Sequence, residues 1–476
     1  MVTFTKEGSE IFRDYETDGV PTSGAHKVIK ADMRTWMGEV KTGFDALGSL
    51  SSPIVTPEDF GAVGNGSTDD TTALQNFFNN TSKTGRLKAG ATYKITPNTV
   101  TIPGNTFFWG PKSATIKNAT GAGTTLKTTA SDVRLRGFTI DGGNSSSTLA
   151  SGYAANHNGF TAQGAVGTHI TDIVLDGLTV KNCGEQGIKC MWVTRLQVRD
   201  CYVVRCGYAG IGVWTVYDAT IDDNVVDNIY PGEDPGSLGS NCYGIVASVY
   251  WTLSGVPNER VKITGNVVSN VMWEGIDEHD SYDVWICKNH IRLCGTGVAI
   301  EHHTASVTAQ KIHVCDNTIT GFGLSNTIEA LAYPSQGGIL VNGAVQDSAT
   351  DTGRGMFITG NNISNIGDTR VSSGTGGGIS IRNFRGVHVS NNYIDVCYKY
   401  GIIFTNGSVD AVLYGTVIGN TIDGTKTVGG VAKDIFASTR VALQVVGNFT
   451  QGNGDGFSQA NTPTFTTTFA SNNNFS

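Results

Sequence analysis

Charged residues and prolines are scarce in this chain, and long apolar runs are absent. Only 16% of the 476 residues are Asp, Glu, Lys or Arg, and 11 are proline. No apolar run approaches the roughly 20 residues that a membrane-spanning helix needs, so we expect no membrane span. The formal net charge of −8 lacks the basic excess of proteins that bind nucleic acid or anionic membranes, which argues against both as the main partner.

A leader sequence and a cysteine motif for metal binding are also missing. The start, Met1–Gly8, lacks the basic-then-apolar layout of a signal peptide, so we expect no export by that route. The nine cysteines contain no Cys-x-x-Cys spacing, which favours buried thiols used as small apolar residues. His302 and His303 are adjacent, but neighbouring strand residues point to opposite faces. We therefore expect no metal site and no cofactor.

The first 50 residues form a segment of their own. Their apolar residues recur at steps of four, three, four and three, the heptad pattern of an amphipathic helix. These residues are Met33, Met37, Val40, Phe44 and Leu47. The pattern fits either a short helix packed on the body or a trimerising or docking element.

From residue 131 the chain repeats a strand pattern with a base period of 23 to 28 residues and occasional insertions. A turn position, mostly Asn, marks the repeats: Gly137, Gly177, Cys201, Asn224, Asn266, Asn289, Asn317, Asn361, Asn392, Asn420 and Asn448. Asn suits a left-handed turn, and stacked amides can bond from rung to rung. The strands alternate apolar and polar residues and are rich in β-branched side chains. We predict an all-β fold, a single-stranded parallel β-helix over residues 131–450.

A second column of the repeat is Gly followed by Ile or a similar residue, from Gly159-Phe160 to Gly401-Ile402. If each Ile points inward, the residue three places later points outward, because side chains alternate along a strand. That outward position holds, rung by rung, Gln163, Met191, Trp214, Ser248, His279, Glu301, Asn342, Arg382 and Thr405. These residues are predicted to line one lateral face.

The stretch Trp273–Asp280 departs from the repeat because it holds four acids and a histidine. The alternation places Asp277 and His279 outward, and we expect Glu274 and Asp280 to face solvent at the strand ends. It places Glu278 inward, where a lone carboxylate is costly. Glu278 therefore requires either a strand bulge or a raised pKa with a buried partner.

The candidate catalytic residues are Asp277, His279 and Glu301. Rungs lie about 4.8 Å apart, so His279 should face Glu301 directly, with Asp277 on the diagonal at roughly 8 Å between Cβ atoms. Two carboxylates and an imidazole, whose pKa a carboxylate can raise, are the groups of acid–base catalysis on a sugar. A separation near 8 Å suits an inverting glycosidase better than a retaining one. The alternative interpretation is an ordinary solvated polar strand.

Four further outward residues are candidate substrate-binding residues. Arg382, placed three rungs beyond Glu301 at about 14 Å, would bind an acidic or sulfated sugar. Trp214 would stack on a sugar ring. Asn342 lies in the same outward column, and Lys189 lies in the outward column two residues earlier, which also holds Asp277.

Long insertions accompany these rungs. They lie at residues 231–235, 329–336 and 346–355. Loops on one face of a solenoid commonly wall its binding cleft, so we expect them to border the substrate.

The stretch from Asp59 to Phe78 joins a Gly/Asn turn to a short amphipathic helix. It resembles the opening of the pectate-lyase-like right-handed parallel β-helix superfamily, which includes phage tailspikes and alginate C5-epimerases. The resemblance implies a right-handed solenoid whose N-terminal end is plugged by this helix. Residues 51–130 would then hold the capping helix and the first coils.

The strand Gly275–His279 resembles the catalytic strand of alginate C5-epimerases, in which Asp and His, two residues apart, are followed by an acid on the next rung. Asp277 and His279 match that pattern, and Glu301 falls where the family has Asp. Glu274 occupies the place of the family's catalytic Tyr.

Two further comparisons with these families bear on the reaction. Tyr243 and Tyr282 are the tyrosines that could approach the site in place of the missing Tyr. The polygalacturonase pattern (Asn-Thr-Asp, Gly-His-Gly and Arg-Ile-Lys) is absent, which disfavours that hydrolase family.

This resemblance, with the separate first segment, implies a phage tailspike-type polysaccharide depolymerase in the virion tail. It would dock to a tail or baseplate protein through residues 1–50, form a homotrimer, and cleave a bacterial surface polysaccharide at the host cell surface. Residues 451–476 are predicted to be a loose polar tail or a strand exchanged between subunits. Two alternatives remain: a β-eliminating lyase or C5-epimerase acting on uronate polymers, and a non-catalytic glycan-binding or structural tail protein.

Overall fold

The structure is a computed structural model that describes residues 54–144, 156–230, 242–249, 256–301, 310–321, 337–343, 354–367, 377–405, 413–427, 431–438, 441–451, 455–459, 468–469 and 474–475. The unit with the β-structure runs from Thr56 to Ser476. The predicted attachment segment, residues 1–50, lies outside the described residues, so its role stays a prediction. No helix in the described ranges is long and apolar enough to cross a membrane.

The described chain contains a 3-10 helix at Pro57–Phe60, an α-helix, α1, at Thr71–Phe78, and 37 β-strands. The strands are β1 (Asn65–Asp69), β2 (Thr84–Arg86), β3 (Thr92–Ile95), β4 (Thr106–Trp109), β5 (Thr115–Asn118), β6 (Leu126–Thr128), β7 (Val133–Arg136), β8 (Thr139–Asp141), β9 (Phe160–Gln163), β10 (Ile170–Asp176), β11 (Thr179–Cys183), β12 (Gln186–Arg199), β13 (Tyr202–Cys206), β14 (Ala209–Asp222), β15 (Val225–Ile229), β16 (Tyr243–Ser248), β17 (Glu259–Thr264), β18 (Val267–His279), β19 (Tyr282–Cys287), β20 (His290–Glu301), β21 (Gln310–Cys315), β22 (Thr318–Thr320), β23 (Gly337–Asn342), β24 (Arg354–Thr359), β25 (Asn362–Ile366), β26 (Gly377–Arg382), β27 (Val387–Ser390), β28 (Tyr393–Cys397), β29 (Tyr400–Thr405), β30 (Leu413–Ile418), β31 (Thr421–Asp423), β32 (Lys433–Ala437), β33 (Val441–Val446), β34 (Phe449–Gln451), β35 (Asp455–Gln459), β36 (Thr468–Phe469) and β37 (Asn474–Phe475).

These strands stack in parallel on three faces, as in a right-handed parallel β-helix. Face 1 runs from β2, β4 and β7 through β10, β17, β19 and β21 to β36. Face 2 runs from β1, β3 and β5 through β11, β13 and β15 to β37. Face 3 runs from β6 and β9 through β16, β23 and β26 to β35. The long strands β12, β14, β18 and β20 each bend through two faces, so the predicted fold class is confirmed.

The Gly-Ile column forms part of the hydrophobic core, as predicted. Its apolar residues align rung by rung and have no exposed surface: Phe160, Ile188, Ile211, Ile245, Ile276, Val298, Ile339, Ile379 and Ile402. The preceding glycines allow close packing of the next coil. A Cβ at Gly275 would lie 2.7 Å from the Gly297 carbonyl oxygen and from Ile291 Cγ2, so a larger residue would clash.

A ladder of buried asparagines joins face 1 to face 2, as predicted. Asn266 Nδ2 donates to Asn289 Oδ1 at 3.0 Å, and Asn289 Nδ2 donates to Asn317 Oδ1 at 3.0 Å. The left-handed residue precedes each Asn, with φ of 54° at Asp223 and 60° at Lys288. The prediction that Asn itself is left-handed is therefore wrong.

The first two repeat markers belong to that preceding left-handed position. Gly137 and Gly177 have φ of 86° and 63°, and they align one residue before the asparagine column. Glycine adopts this backbone conformation without the steric cost that a side chain brings.

Helix α1 covers the start of the coil. Leu74, Phe77 and Phe78 have no exposed surface. The rings of Phe77 and Phe78 lie 5.0 and 4.8 Å from the Phe108 ring of β4. This is the apolar stripe that the sequence predicts, since helical spacing places the three side chains on one side.

The described strands β35, β36 and β37 continue the parallel stacks into the segment predicted as a polar tail. Whether that segment is exchanged between subunits stays a prediction. Seven cysteines are buried free thiols, as predicted. Cys287 and Cys315 are instead joined by a disulfide between neighbouring rungs of face 1, with Cα atoms 4.5 Å apart. The sequence interpretation missed this pair.

Candidate active site

The outward columns of face 3 have the predicted alignment. Strands β18 and β20 pair Asp277 with Ala299 and His279 with Glu301. Glu301 in turn pairs with Asn342, and Asn342 pairs with Arg382. Arg382 is therefore two rungs from Glu301, about 10 Å by rung spacing, and the predicted three rungs are wrong.

Asp277 lies directly against the His279 ring. Asp277 Oδ2 is 2.8 Å from His279 Nε2, at ion-pair distance but without the alignment of a hydrogen bond. Asp277 has no exposed surface, whereas His279 retains 9%. Burial raises the pKa of Asp277, and the charge of Glu301 raises it further. Burial also lowers the pKa of His279, although Glu301 opposes this effect. The sequence led us to expect a raised imidazole pKa, which is wrong because desolvation dominates.

Glu301 is the more accessible carboxyl group of the candidate site. Burial raises its pKa, opposed by His279, by a hydrogen bond from Asn342 and by the charge of Arg382. Asn342 Nδ2 donates to Glu301 Oε2 at 3.0 Å. Asn342, predicted to bind substrate, thus holds a candidate catalytic carboxyl group.

Glu274 also belongs to this site, contrary to the prediction that it faces solvent. It is buried, and its carboxylate lies within 4.8 Å of ligand atoms of Asp277 and His279. The register shifts beside it, because β20 takes two residue steps where β18 takes three from Val271 to Glu274. Three steps is also the length from β11 to β12 and from β13 to β14, so Glu274 holds the regular position of its column. Glu274 directly precedes the Gly275-Ile276 pair, and that place in the repeat was the sequence signal for it.

Glu274, Asp277 and His279 are the described residues that could hold a metal ion. Two carboxylates and an imidazole are a donor set that divalent metals accept. The same groups can alternatively share protons, because burial and the charges of Asp277 and Glu301 raise the pKa of Glu274.

Glu278 and Asp280 are both buried. Glu278 accepts a hydrogen bond from the Ser281 backbone N–H at 2.5 Å, and burial raises its pKa well above the usual range. The predicted raised pKa with a buried partner is therefore confirmed. Asp280 has no exposed surface, so its predicted solvent-facing position is wrong.

Trp214 is not the exposed platform that the sequence predicted. Its side chain is 8% exposed and packs with Met191, Tyr243 and Val246. The indole lies over Gly212, where an added Cβ would be 1.9 Å from Trp214 Cη2. A ring packed in this way offers little surface to a sugar.

Lys189, another predicted substrate-binding residue, is engaged within the protein. Its Nζ lies 3.3 Å from Glu185 Oε1 and 5.9 Å from the centre of the Trp214 ring. It lies on the same face as the catalytic candidates, on the rung just before that of Trp214. Its role in substrate binding stays a prediction.

Of the two tyrosines considered from sequence, Tyr243 approaches the site. Its ring centre is 6.2 Å from that of His279, edge to face, and it pairs with Glu274 on the neighbouring strand. Tyr282 lies on face 1. The predicted loop walls at 231–235 and 329–336, most of 346–355, and His302 and His303 fall outside the described residues.

Comparison with known proteins gives a short sequence match and broad structural similarity. No family model matches the chain. An 84-residue stretch is 40% identical to a capsule K30/K69-specific depolymerase of Klebsiella phage K64-1, but the match spans 16% of this chain and only 11% of that relative.

Two solved structures illustrate the structural similarity. Pre-mature gene product 12 of bacteriophage phi29 matches with a TM-score of 0.55 at 14% identity, over 89% of this chain and 59% of that one. The A-module of mannuronan C-5 epimerase AlgE6 from Azotobacter vinelandii matches with a TM-score of 0.52 at 15% identity, over 88% of this chain and 98% of that module. At such low identity this similarity concerns the fold. The chain therefore has the right-handed parallel β-helix fold of these structures.

Proposed function

We propose that this chain is a phage tailspike-type depolymerase that cleaves glycosidic bonds of a bacterial surface polysaccharide on face 3. The observation that carries the proposal is the grouping of Asp277, His279 and Glu301 on two adjacent rungs. The His279 imidazole contacts the carboxyl group of Asp277 and is paired with Glu301 on the next rung. The 84-residue match to a phage capsule depolymerase supports the substrate class.

The proposed hydrolysis divides proton transfer between the two acids. Glu301, whose charged form is favoured by His279, Asn342 and Arg382, takes a proton from water as the water oxygen bonds to the anomeric carbon. The glycosidic C–O bond breaks, and His279 donates a proton to the leaving oxygen. Asp277, whose raised pKa favours its protonated form, replaces that proton through Nε2. In this assignment Asp277 acts through the imidazole of His279 and does not touch the substrate, because Asp277 itself has no exposed surface.

Elimination or C5-epimerisation of a uronate polymer is the second candidate. Tyr243, 6.2 Å from the His279 ring centre, is the observation that favours it, since a phenol beside an imidazole can take part in proton transfer at a sugar carbon. Elimination leaves an unsaturated sugar that absorbs near 235 nm, whereas hydrolysis does not.

The same proposal places the protein in the virion tail as a homotrimer. Residues 1–50 would bind a tail or baseplate protein, and the β-helix would meet the polysaccharide at the host cell surface. The partial match to a phage enzyme supports this placement.

The test is a panel of bacterial capsule, exopolysaccharide and O-antigen preparations, with product size and absorbance measured for the wild type, Asp277→Asn and Glu301→Gln. We expect chain shortening by the wild type and losses of at least about a hundredfold in both variants. Full depolymerisation by both variants would exclude the proposed site. A protein that binds polymer yet never shortens it would be a non-catalytic binding protein.

A further inference from the structure

Face 1 carries a groove that the candidate site on face 3 does not use. It consists of two clefts of about 700 and 460 Å³ that share Asp218 and Thr220. The middle of its floor holds, rung by rung, Arg134, Val174, Gln197, Thr220, Lys262 and Trp285. Five rung steps of about 4.8 Å make this floor roughly 24 Å long, enough for several sugar residues.

Trp285 forms the end wall of this groove. Its side chain is 40% exposed, and its indole N–H donates to Asp283 Oδ1 at 3.1 Å. One ring face stacks on His313, with centres 3.8 Å apart and planes within 10°. The opposite face looks back along the axis toward Lys262, over the second cleft. The ring is thus held from behind by His313, and its exposed part lines the second cleft.

The side of the groove is built from alternating charges. Arg195 makes two hydrogen bonds to Asp172, at 2.7 and 2.6 Å, and Arg260 Nε donates to Asp218 at 2.6 Å. Pairs as exposed as these contribute little to stability. They do hold donors and acceptors side by side at fixed positions.

The neighbouring donors and acceptors of the Arg/Asp pairs match hydroxyl groups, which both donate and accept hydrogen bonds. The larger cleft is lined by five basic residues (Lys83, Arg134, Arg136, Arg195 and Arg199) and four acidic ones (Asp132, Asp172, Asp176 and Asp218). A strongly charged polymer of either sign would meet like charges here. A chain of hydroxyl-rich sugars would meet paired polar groups along its length and an aromatic face at its end.

We propose that the face 1 groove is a second, non-catalytic binding site for a polysaccharide chain, with a sugar ring stacked on Trp285 and hydroxyls bonded to the Arg/Asp pairs. The identity of the ligand as polysaccharide rests on the proposed function, but no residue of the face 3 site takes part. Binding at two faces would keep the polymer near the cleaving site and raise its effective concentration there.

The test measures binding of polysaccharide by the full chain carrying His279→Ala, in which we expect cleavage to be slowed about a hundredfold or more. In that background we expect Trp285→Ala to weaken binding about fivefold, the size of one lost aromatic contact. Thr220→Trp should weaken it at least as much, because it fills the shared part of both clefts without removing a wall. Tyr393→Ala, which removes a 43% exposed ring on face 2, is the matched control and should bind like its parent.

A second measurement separates this site from the catalytic one. With His279 restored, Trp285→Ala and Thr220→Trp should cleave short oligosaccharides at the wild-type rate while losing efficiency on long polymer. Unchanged polymer binding in both variants would overturn the inference, as would equal losses on short and long substrates. A changed oligomeric state in Trp285→Ala with unchanged binding would identify the groove as a contact between copies and also overturn it. Weakened binding in these variants would uphold the groove even if Asp277→Asn and Glu301→Gln remained fully active and the face 3 proposal failed.

Discussion

Asp277 lies behind His279 and reaches the outer face through it: Asp277 Oδ2 is 2.8 Å from His279 Nε2, and Asp277 itself has no exposed surface. A substrate on face 3 would therefore meet the imidazole and Glu301 first. This arrangement makes His279 the group through which the buried acid would act.

His279→Ala should reduce depolymerisation by about a hundredfold or more, because it removes the link between Asp277 and the substrate. The measurement is release of reducing ends from the cleaved polysaccharide. His290→Ala is the matched control, since His290 is exposed on the face 2 part of the same strand, β20, that carries Glu301. Equal activity of both variants would contradict the assigned role.

Arg382→Gln should move the acid limb of the activity–pH profile to higher pH. The charge of Arg382 lowers the pKa of Glu301, so its removal raises that pKa and Glu301 ionises later. The check is kcat/KM across the pH range for the wild type and the variant. The control is Arg292→Gln, which replaces an exposed arginine on the face 2 part of β20. It should leave the pH of the acid limb unchanged. A shift toward lower pH would show that Glu301 is not the ionising base.

Glu278→Gln should stabilise the protein at alkaline pH and much less in acid. Because burial raises the pKa of Glu278 in the folded chain, the folded state binds more protons than the unfolded state above about pH 4. Unfolding free energy therefore falls as pH rises, by up to about 1.4 kcal/mol per pH unit for one proton. The amide keeps an acceptor for the Ser281 N–H.

Denaturant unfolding of the wild type and Glu278→Gln at pH 5 and pH 8 checks this expectation. The increase in unfolding free energy that the substitution produces should be larger at pH 8 than at pH 5. A gain that is independent of pH would mean that Glu278 is not held in its neutral form.

Asn289→Ala should cost about 2–4 kcal/mol of unfolding free energy. Asn289 Nδ2 donates to the Ile263 carbonyl and to Asn317, and its Oδ1 accepts from Asn266, so removal leaves several buried groups unpaired. Urea unfolding measures the change. The control is Asn362→Ala, which removes an exposed amide on face 2. It should change the free energy of unfolding by less than about 0.5 kcal/mol.

Gly212→Ala should displace the Trp214 ring. The added Cβ would lie 1.9 Å from Trp214 Cη2, and such overpacking typically costs about 1–3 kcal/mol. Near-ultraviolet circular dichroism and urea unfolding would both report the change. At Gly337 on the same face the added Cβ meets its nearest neighbour at 3.4 Å, so Gly337→Ala is the control and should have a small effect.

The parallel β-helix and the alignment of face 3 could be predicted because both depend on periodicity. Ile276 and Val298 mark inward positions in neighbouring repeats, and alternation along a strand then places His279 beside Glu301. The asparagine column was predictable for the same reason, since a chemically distinctive residue recurs once in each coil.

Features that do not follow from the alternation alone were missed. Glu274 was assigned to solvent as a strand-end residue, but β18 continues through it to His279 and it is buried. Trp214 was assigned to the surface because its column is outward, yet an outward ring can fold over a neighbouring glycine. Cys287 and Cys315 are 28 residues apart, and their pairing follows from the rung alignment rather than from any motif.

The sequence by itself determined which residues repeat, which columns of the repeat point inward or outward, and that acids and a histidine interrupt one lateral column. Only the tertiary structure decided which of those groups are buried and in contact. Asp277 is enclosed while Glu301 remains partly open, and Glu274 is buried beside Asp277 and His279. The reason is physical: periodicity fixes side-chain direction, but burial and protonation depend on everything that packs around the group.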